Sequence, residues 1–438
     1  MEKMIRILSN VRLAFFPIAY ALSGVLIGST LNRIMIAELG YSATLVALFF
    51  AIPLMISPIR VWVGYRSDAF PIWGKRREPY IMFGALAIGL GIVAITNLIT
   101  AGNTWAILLG VALSFVLYGL GRNISHNTFQ ALVADRYEGA ARSRAATLYE
   151  VTTMLGMVMG AGIIKGALKI YEPERLVALA LAVAGAVLIL SILATIGQEA
   201  RGKLTETAAE IAREVKFSEA FRKVILEDKQ VRLFFIIVVL TFVGTLAQDV
   251  LLEPYGGLVL GMSVGETTGL TQYWGIGVLI SMLACGLFLL KALGYMRVMR
   301  TGMLVSALAF VGPILAGVIG NAALFKGAVF IMGLGTGLAG AGMLSGALAF
   351  TTRIRAGMLL GVWGVANMTG HAFGSLLGGV TVDSVRALTG SPFLAYAAVF
   401  AMEIIFLVIA LSLTFRLSME EAQAQREEKS LPEFAPAD

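Results

Sequence analysis

The chain has little of what catalytic and metal sites are built from. Its 438 residues include one cysteine and two histidines, and only 14 % are charged. A single cysteine excludes an internal disulfide and a cysteine metal cluster within this sequence. The sequence also has no Ser/His/acid order typical of hydrolases and no glycine-rich phosphate-binding motif. We therefore predict a protein that is not an enzyme.

Long apolar runs dominate the sequence instead. Hydrophobic residues make up 58 % of it, and the mean hydropathy is +0.84, which is far too apolar for a soluble protein. A helix needs about 20 residues to cross the hydrocarbon core of a membrane. Runs of this length lie at 12–32, 42–63, 80–100, 105–124, 145–168, 176–196, 231–252, 268–290, 301–319, 324–349, 357–380 and 393–415. The composition predicts an all-α integral membrane protein with twelve transmembrane helices and contacts to membrane lipid.

The net charge of +7 follows from membrane topology and does not indicate nucleic-acid binding. Of the 34 Lys and Arg residues, 28 fall in segments on the side of the two termini. Cytoplasmic loops collect Lys and Arg, so both termini are expected in the cytoplasm.

The two halves of the chain repeat each other. Arg12-Leu13 and Arg232-Leu233 begin the first and seventh runs, and the same offset aligns Arg33 with Glu253. Parallel repeats of this kind are typical of secondary transporters. We predict two six-helix bundles, a cytoplasmic amphipathic linker and a cytoplasmic tail, at 1–196, 231–415, 197–230 and 416–438. The linker is either a tether on the membrane surface or a docking helix for a partner protein.

Two carboxylates follow the seventh apolar run. Asp249 and Glu253 are one helical turn apart, which predicts a shared helix face. Acids at membrane depth usually point into a bundle or cavity, although Glu253 could instead mark a helix end at the water interface. Because the repeat sets Arg33 opposite Glu253, we predict a polar lock or coupling site of Arg33, Gln248, Asp249 and Glu253. The alternative is that Arg33 snorkels alone to the surface.

The loop between the second and third runs resembles a known motif. Residues 64–68 (GYRSD) and 74–77 (GKRR) are similar to the G-x-x-x-D-x-x-G-R-[RK] loop of the major facilitator superfamily, with extra residues between the two parts. The resemblance implies the fold of that superfamily. It also implies a cytoplasmic gate in which Asp68, Arg76 and Arg77 tie neighbouring helix ends together, as carboxylate–guanidinium pairs can do.

A narrower resemblance covers nearly the whole chain. Residues 31–40 (LNRIMIAELG), 76–84 (RREPYIMFG) and 248–257 (QDVLLEPYGG) resemble marked segments of the PucC/LhaA family of phototrophic bacteria. The resemblance implies a role in assembling light-harvesting antenna complexes, with bacteriochlorophyll as the cofactor. It also implies antenna polypeptides and pigment-synthesis enzymes as partners, and a cytoplasmic or intracytoplasmic photosynthetic membrane as the location. A proton-coupled secondary transporter of a small solute is the alternative.

His371 is the candidate ligand for such a pigment. A neutral imidazole can bind a metal through one ring nitrogen, and a chlorophyll magnesium accepts an axial ligand. His371 lies beside a ridge of Gly370, Gly374 and Gly378, which could pack a neighbouring helix or admit a flat macrocycle. We therefore predict pigment binding at His371, Gly370 and Gly374, against the alternative that His371 only bonds a neighbouring helix. The other histidine, His126, is expected to be structural.

Overall fold

The computed structural model describes residues 11–69, 71–136, 139–199, 229–349 and 356–417. Within these ranges the secondary structure is helical, apart from one isolated bridge between Ile72 and Lys75. The helices of the first half are α1 Val11–Glu38, α2 Ala43–Met55, α3 Ile59–Ala69, α4 Glu78–Ala101, α5 Trp105–Arg136, α6 Gly139–Ala167 and α7 Pro173–Thr195. Those of the second half are α8 Lys229–Leu246, α9 Leu252–Leu258, α10 Val264–Leu293, α11 Tyr295–Ile319, α12 Ala322–Ala349, α13 Ala356–Thr389 and α14 Pro392–Thr414.

The helices have the length and composition of a membrane protein. Across the described ranges, nine of them contain an apolar stretch long enough to span a bilayer, and Ala43–Met55 and Val151–Ala167 are shorter apolar helices. An integral membrane protein is thus confirmed. The count of twelve spans stays a prediction, and the amphipathic linker and the tail lie outside the described residues.

Local sequence signals set several helix ends. Ser42 and Ser391 cap α2 and α14 by accepting hydrogen bonds from backbone N–H groups three residues on. Ser263 and Glu266 form a reciprocal capping box at the start of α10. Gly320 ends α11 in the left-handed conformation, with φ of 72°, which glycine adopts without strain.

The same packing pattern occurs in both halves. In the first half α1 packs on α6 and α7, while α4 packs on α5 and α7. In the second half α8 packs on α13 and α14, while α11 packs on α12 and α14. The halves meet mainly through α2 against α13 and through α6 against α10. This equivalence is what two structural repeats produce.

The helix predicted at 231–252 is interrupted. It leaves the α conformation at Leu246 (φ −123°, ψ 0°), continues as a 3₁₀ turn over Ala247–Val250, and restarts as α9. Pro254 explains the break, because a proline inside a continuous helix would lack the N–H that bonds to residue 250 and would clash with that carbonyl. The prediction that Asp249 and Glu253 share the face of one continuous helix is therefore wrong.

Candidate functional site: a cavity between the two halves

A cavity of about 310 Å³ lies between the halves of the molecule. Helices α1, α5 and α6 line it on one side, and the α8–α9 junction, α10 and α13 line it on the other. Its volume is at the lower end of the range of ligand pockets, about 300–1,000 Å³. Its polar lining residues include Tyr20, Ser29, Arg122, Thr153, Gln248, Asp249, Glu253, Thr271 and His371. The structure thus brings together four residues predicted from sequence, namely Gln248, Asp249, Glu253 and His371.

Asp249 and His371 form a pair at the cavity wall. The Nε2 atom of His371 and the Oδ2 atom of Asp249 lie 2.9 Å apart, and the Asp249 side chain is half exposed. The carboxylate accepts a hydrogen bond when Nε2 carries its proton, which leaves Nδ1 as the second ring nitrogen. Carboxylate–histidine pairs of this type orient metal-ligating imidazoles and raise their basicity.

The glycine ridge on α13 faces α8 and not the cavity. A Cβ atom at Gly370 would lie 2.6 Å from the Cβ atom of Phe242, and one at Gly378 would lie 2.7 Å from the carbonyl oxygen of Ala247. Gly374 approaches the same helix. The prediction that Gly370 and Gly374 contact a pigment directly does not hold for this arrangement, because α8 covers them. Their close packing sets α13 against the α8–α9 junction, where His371 meets Asp249.

Glu253 joins α9 to α1 across the two halves. Its side chain is buried, its Oε2 atom accepts a hydrogen bond from Asn32 Nδ2 at 3.1 Å, and Oε1 accepts one from Thr271 at 3.4 Å. Asn32 Nδ2 also donates to the carbonyl oxygen of Val250 at 3.2 Å. The burial excludes a simple helix end at the water interface. Asn32 was not among the residues predicted from sequence.

Arg33 does not pair with Glu253, which corrects that prediction. Its Nη1 atom lies 2.8 Å from Glu38 Oε1, and its Nη2 atom donates to the carbonyl oxygen of Met262. The side chain is buried, so it does not snorkel to the surface either. The cause is local, because Leu26–Leu31 and Ile34–Glu38 are π-helical. A π-helix bonds residue i to i+5, which brings Arg33 to Glu38 and turns Asn32 toward Glu253.

Glu403 does not line the cavity, but it binds the backbone of Gln248, which does. It is completely buried on α14, and its Oε1 atom accepts a hydrogen bond from the backbone N–H of Gln248 at 2.9 Å. The break after Leu246 frees that N–H, and Glu403 satisfies it. A carboxylate deep in an apolar run was the signal that could have identified it. The Oε1 atom of Gln248 has no protein partner and belongs to a residue that lines the cavity.

The halves are tied together at one end of the molecule, where α1 ends and α2 begins. There Asp383 of α13 accepts hydrogen bonds from the backbone N–H groups of Ala43 and Thr44, at 3.1 and 2.7 Å. Thr30 and Thr268 bond across the same interface at 3.1 Å. This arrangement closes the cavity at the end with the α1–α2 loop.

The predicted cytoplasmic gate is only partly described. The Nε atom of Arg77 lies 2.9 Å from Asp135 Oδ2 on α5, and Nη1 donates to Ser67 on α3 at 2.6 Å. The backbone N–H groups of Arg76 and Arg77 donate to the carboxylate of Glu199. The Asp68 side chain lies outside the described residues, so its part in a gate stays a prediction. The observed contacts all join elements of the first half.

We expect Arg77→Gln to lower the free energy of unfolding by about 1.5–3 kcal/mol, the usual value of hydrogen bonds to a charged group. Arg77 is buried and joins two helix ends. Arg175→Gln is the matched control, because Arg175 forms an exposed ion pair with Glu172, and such pairs contribute about 0–1 kcal/mol. Thermal unfolding in detergent measures both variants. Equal midpoints for the two would rule out a structural role of the Arg77 contacts.

Comparison with known proteins places these features in a family. A sequence model described as PUCC protein matches residues 30–422. Protein PucC of Rhodobacter capsulatus is 32 % identical over 420 residues, which cover 92 % of this chain and 90 % of that protein. An uncharacterized protein in the puhA-bchM intergenic region of the same organism is 33 % identical, with coverage of 92 % and 87 %. A protein named bacteriochlorophyll synthase 44.5 kDa chain, also from Rhodobacter capsulatus, is 31 % identical, with coverage of 89 % and 91 %.

Solved structures establish the fold. A variant of the nucleoside transporter NupG superposes with a TM-score of 0.74 at 11 % identity, covering 93 % of this chain and 99 % of that one. A bacterial homolog of the human lysosomal transporter Spinster gives a TM-score of 0.72 at 15 % identity, with 98 % of both chains covered. These identities support the fold alone. The chain has the major facilitator superfamily fold and belongs to the PucC protein family.

Proposed function

We propose that the protein is a non-enzymatic membrane assembly factor for bacterial light-harvesting complexes, which binds or delivers bacteriochlorophyll. Its partners would be antenna polypeptides and pigment-synthesis enzymes, and its place the inner photosynthetic membrane with both termini in the cytoplasm. Membership of the PucC family supports a photosynthetic role. The observation that carries the proposal further is the His371–Asp249 pair at the wall of the central cavity.

The donor set fits a metal that brings most of its own ligands. Within the described ranges, no three His, Cys, Asp or Glu side chains are grouped closely enough to hold a free metal ion. A magnesium tetrapyrrole brings four nitrogen ligands of its own, so a single histidine would be enough to hold it. Bound in this way, the pigment would supply light absorption and no reaction. His371 would hold it, and Asp249 would orient the imidazole.

The cavity walls suit an apolar ring better than a small polar solute. Beside the polar groups, the walls carry Val25, Leu246, Leu252, Leu270 and Trp274. Ligand pockets for apolar molecules combine such walls with a few oriented polar groups.

A secondary transporter is the second candidate, because a specific feature favours it. Glu253 is a buried carboxylate that lines the cavity, and carboxylates at this depth serve proton coupling in transporters. The solved transporters with the same fold agree with this candidate. An assembly factor should copurify with pigment, whereas a transporter should be colourless and should move a solute across a membrane.

Purification from a phototrophic host tests the proposal. We expect pigment that absorbs in the near infrared to copurify, and Asp249→Asn to weaken its retention by about 10–100-fold, as the loss of an orienting partner does in metal sites. His371→Leu should remove the pigment, whereas His126→Gln, which alters the other histidine outside the cavity lining, should retain it. A colourless protein that moves a solute into liposomes would support the transporter instead.

A further inference from the structure

Arg122 is a cation in the cavity wall that has no anionic partner within the described ranges. Its Nη1 atom donates to Tyr118 Oη at 3.0 Å, to the carbonyl oxygen of Tyr20 at 3.2 Å and to Ser23 Oγ at 3.2 Å. Its guanidinium carbon lies 3.7 Å from the centre of the Tyr20 ring. No carboxylate among the described residues forms an ion pair with it. Its Nε and Nη2 atoms have no protein partner in those ranges.

A second arginine lies close to Arg122, although it does not line the cavity. Arg60 lies close enough to Arg122 and Tyr20 for electrostatic interaction, and its Nε atom donates to Asn123 Oδ1 at 2.5 Å. The described part of the chain places no ion-pair partner at Arg60 either. Two neighbouring guanidinium groups, of which Arg122 lines the cavity, therefore have no ion-pair partner among the described residues.

The carboxylates of the opposite wall already have partners. Asp249 pairs with His371, and Glu253 accepts hydrogen bonds from Asn32 and Thr271. An unpaired charge away from water is costly, and charged residues inside membrane segments are usually functional for that reason. A guanidinium with free donors at a cavity is suited to binding a carboxylate or a phosphate.

We propose that Arg122 binds the anionic head group, a carboxylate or a phosphate, of an amphiphilic ligand whose apolar body lies against Leu246, Leu252 and Trp274. This inference rests on the proposed function in one respect, namely that the cavity is a binding site for an amphiphilic ligand. The guanidinium holds the head group at the first-half wall. A cargo seated in this way would span the cavity from Arg122 toward the His371–Asp249 pair.

Gly24 gives the guanidinium its access to the cavity. It lines the cavity, and a Cβ atom at this position would lie 3.1 Å from Arg122 Nη1 and 3.7 Å from Nη2. A larger side chain at residue 24 would therefore occupy the space beside the guanidinium without removing its charge. Gly24→Val thus provides a second variant that blocks the site by a different physical route from Arg122→Gln.

The test measures quenching of Trp274 by a bromine-labelled fatty acid and by its methyl ester, with the purified full-length protein in neutral lipid nanodiscs. Trp274→Phe defines the signal that comes from the cavity. We expect the acid to bind at least tenfold more tightly than the ester, which corresponds to about 1.4 kcal/mol. Arg122→Gln and Gly24→Val should each abolish this preference.

Arg300→Gln is the matched control. Arg300 also lies over an aromatic ring, 4.2 Å from the centre of Phe415, and bonds to Thr414, but it does not line the cavity. It should keep the preference for the acid. Competition by an added alkyl phosphate would indicate a free anionic cargo. Competition by anionic phospholipid in the nanodisc would indicate a lipid head group.

Equal binding of acid and ester by the unmodified protein would overturn the proposal, even if the variants did not fold. Retention of the preference by folded Arg122→Gln would overturn it as well. Neither result depends on antenna assembly in cells. Failure of the anion site is therefore distinguishable from failure of the proposed assembly function.

Discussion

Asn32→Leu should lower the free energy of unfolding by about 3 kcal/mol and loosen the contact between the two halves. Asn32 is fully buried, and its Nδ2 atom donates to Glu253 and to the carbonyl oxygen of Val250. Its removal leaves a buried carboxyl group without its shortest hydrogen bond. Thermal unfolding gives the stability, and cysteine labelling near Ala43 reports opening at that end of the molecule.

A double-mutant cycle separates this contact from the pairing predicted from sequence. Asn32→Leu combined with Glu253→Leu should recover part of the lost stability, because replacing both partners by apolar groups can be nearly neutral. The cycle between Arg33 and Glu253 should show a coupling below about 0.5 kcal/mol, the level expected of residues that do not touch. Strong coupling between Arg33 and Glu253, with none between Asn32 and Glu253, would contradict the observed Asn32–Glu253 contact.

Gly370→Val should destabilise the protein by about 1–3 kcal/mol or prevent its folding, as overpacking of a close helix contact does. The new Cβ atom would lie 2.6 Å from that of Phe242, and α13 would have to move away from α8. Because His371 follows directly on α13, the His371–Asp249 pair should break as well. We expect loss of thermal stability together with loss of copurified pigment.

Gly340→Val is the control for this change. A Cβ atom at Gly340 would meet no atom within 4 Å, so the substitution adds a β-branched residue to α12 without a clash. Its midpoint of unfolding should stay near that of the unmodified protein. Equal stability of the Gly370 and Gly340 variants would show that the glycine ridge does not hold α13 against α8.

The sequence identified four polar residues that the structure brings into one cavity, although it assigned them to two different sites. Gln248, Asp249, Glu253 and His371 are polar groups within or beside apolar runs, and lipid cannot solvate them. A fold with a central space between two bundles leaves few other places for such side chains. The physical argument therefore did not need the exact geometry of any helix.

The hydrogen-bond partners of these residues depend on departures from the regular α-helix. Such departures cannot be recognised from an apolar sequence. Aligning the two repeats assumes that α1 and α8 wind in the same way. Leu26–Leu31 is instead π-helical, while the corresponding part of the second half contains a 3₁₀ turn and a break. Each departure rotates the residues that follow. The contact to Glu253 consequently falls on Asn32 and not on Arg33.

Long-range contacts were the least predictable part of the site. Glu403 lies 155 residues from the N–H group that it binds, and Asp383 lies 340 residues from Ala43. No local pattern links such positions. Arg122 is similar, since its lack of a counter-ion in the part of the chain that the structure describes becomes visible only when its neighbours are known. Of these three residues, only Arg122 lines the cavity.

Antenna assembly in a phototrophic host that lacks its own copy of the gene tests the central claim most directly. The near-infrared absorbance of the antenna, measured on intact membranes, gives the amount of assembled complex. The unmodified protein should restore this absorbance, while His371→Leu, expressed at the same level, should restore little of it. Full restoration by His371→Leu, or none by the unmodified protein, would contradict the claim that this cavity serves the assembly of light-harvesting complexes.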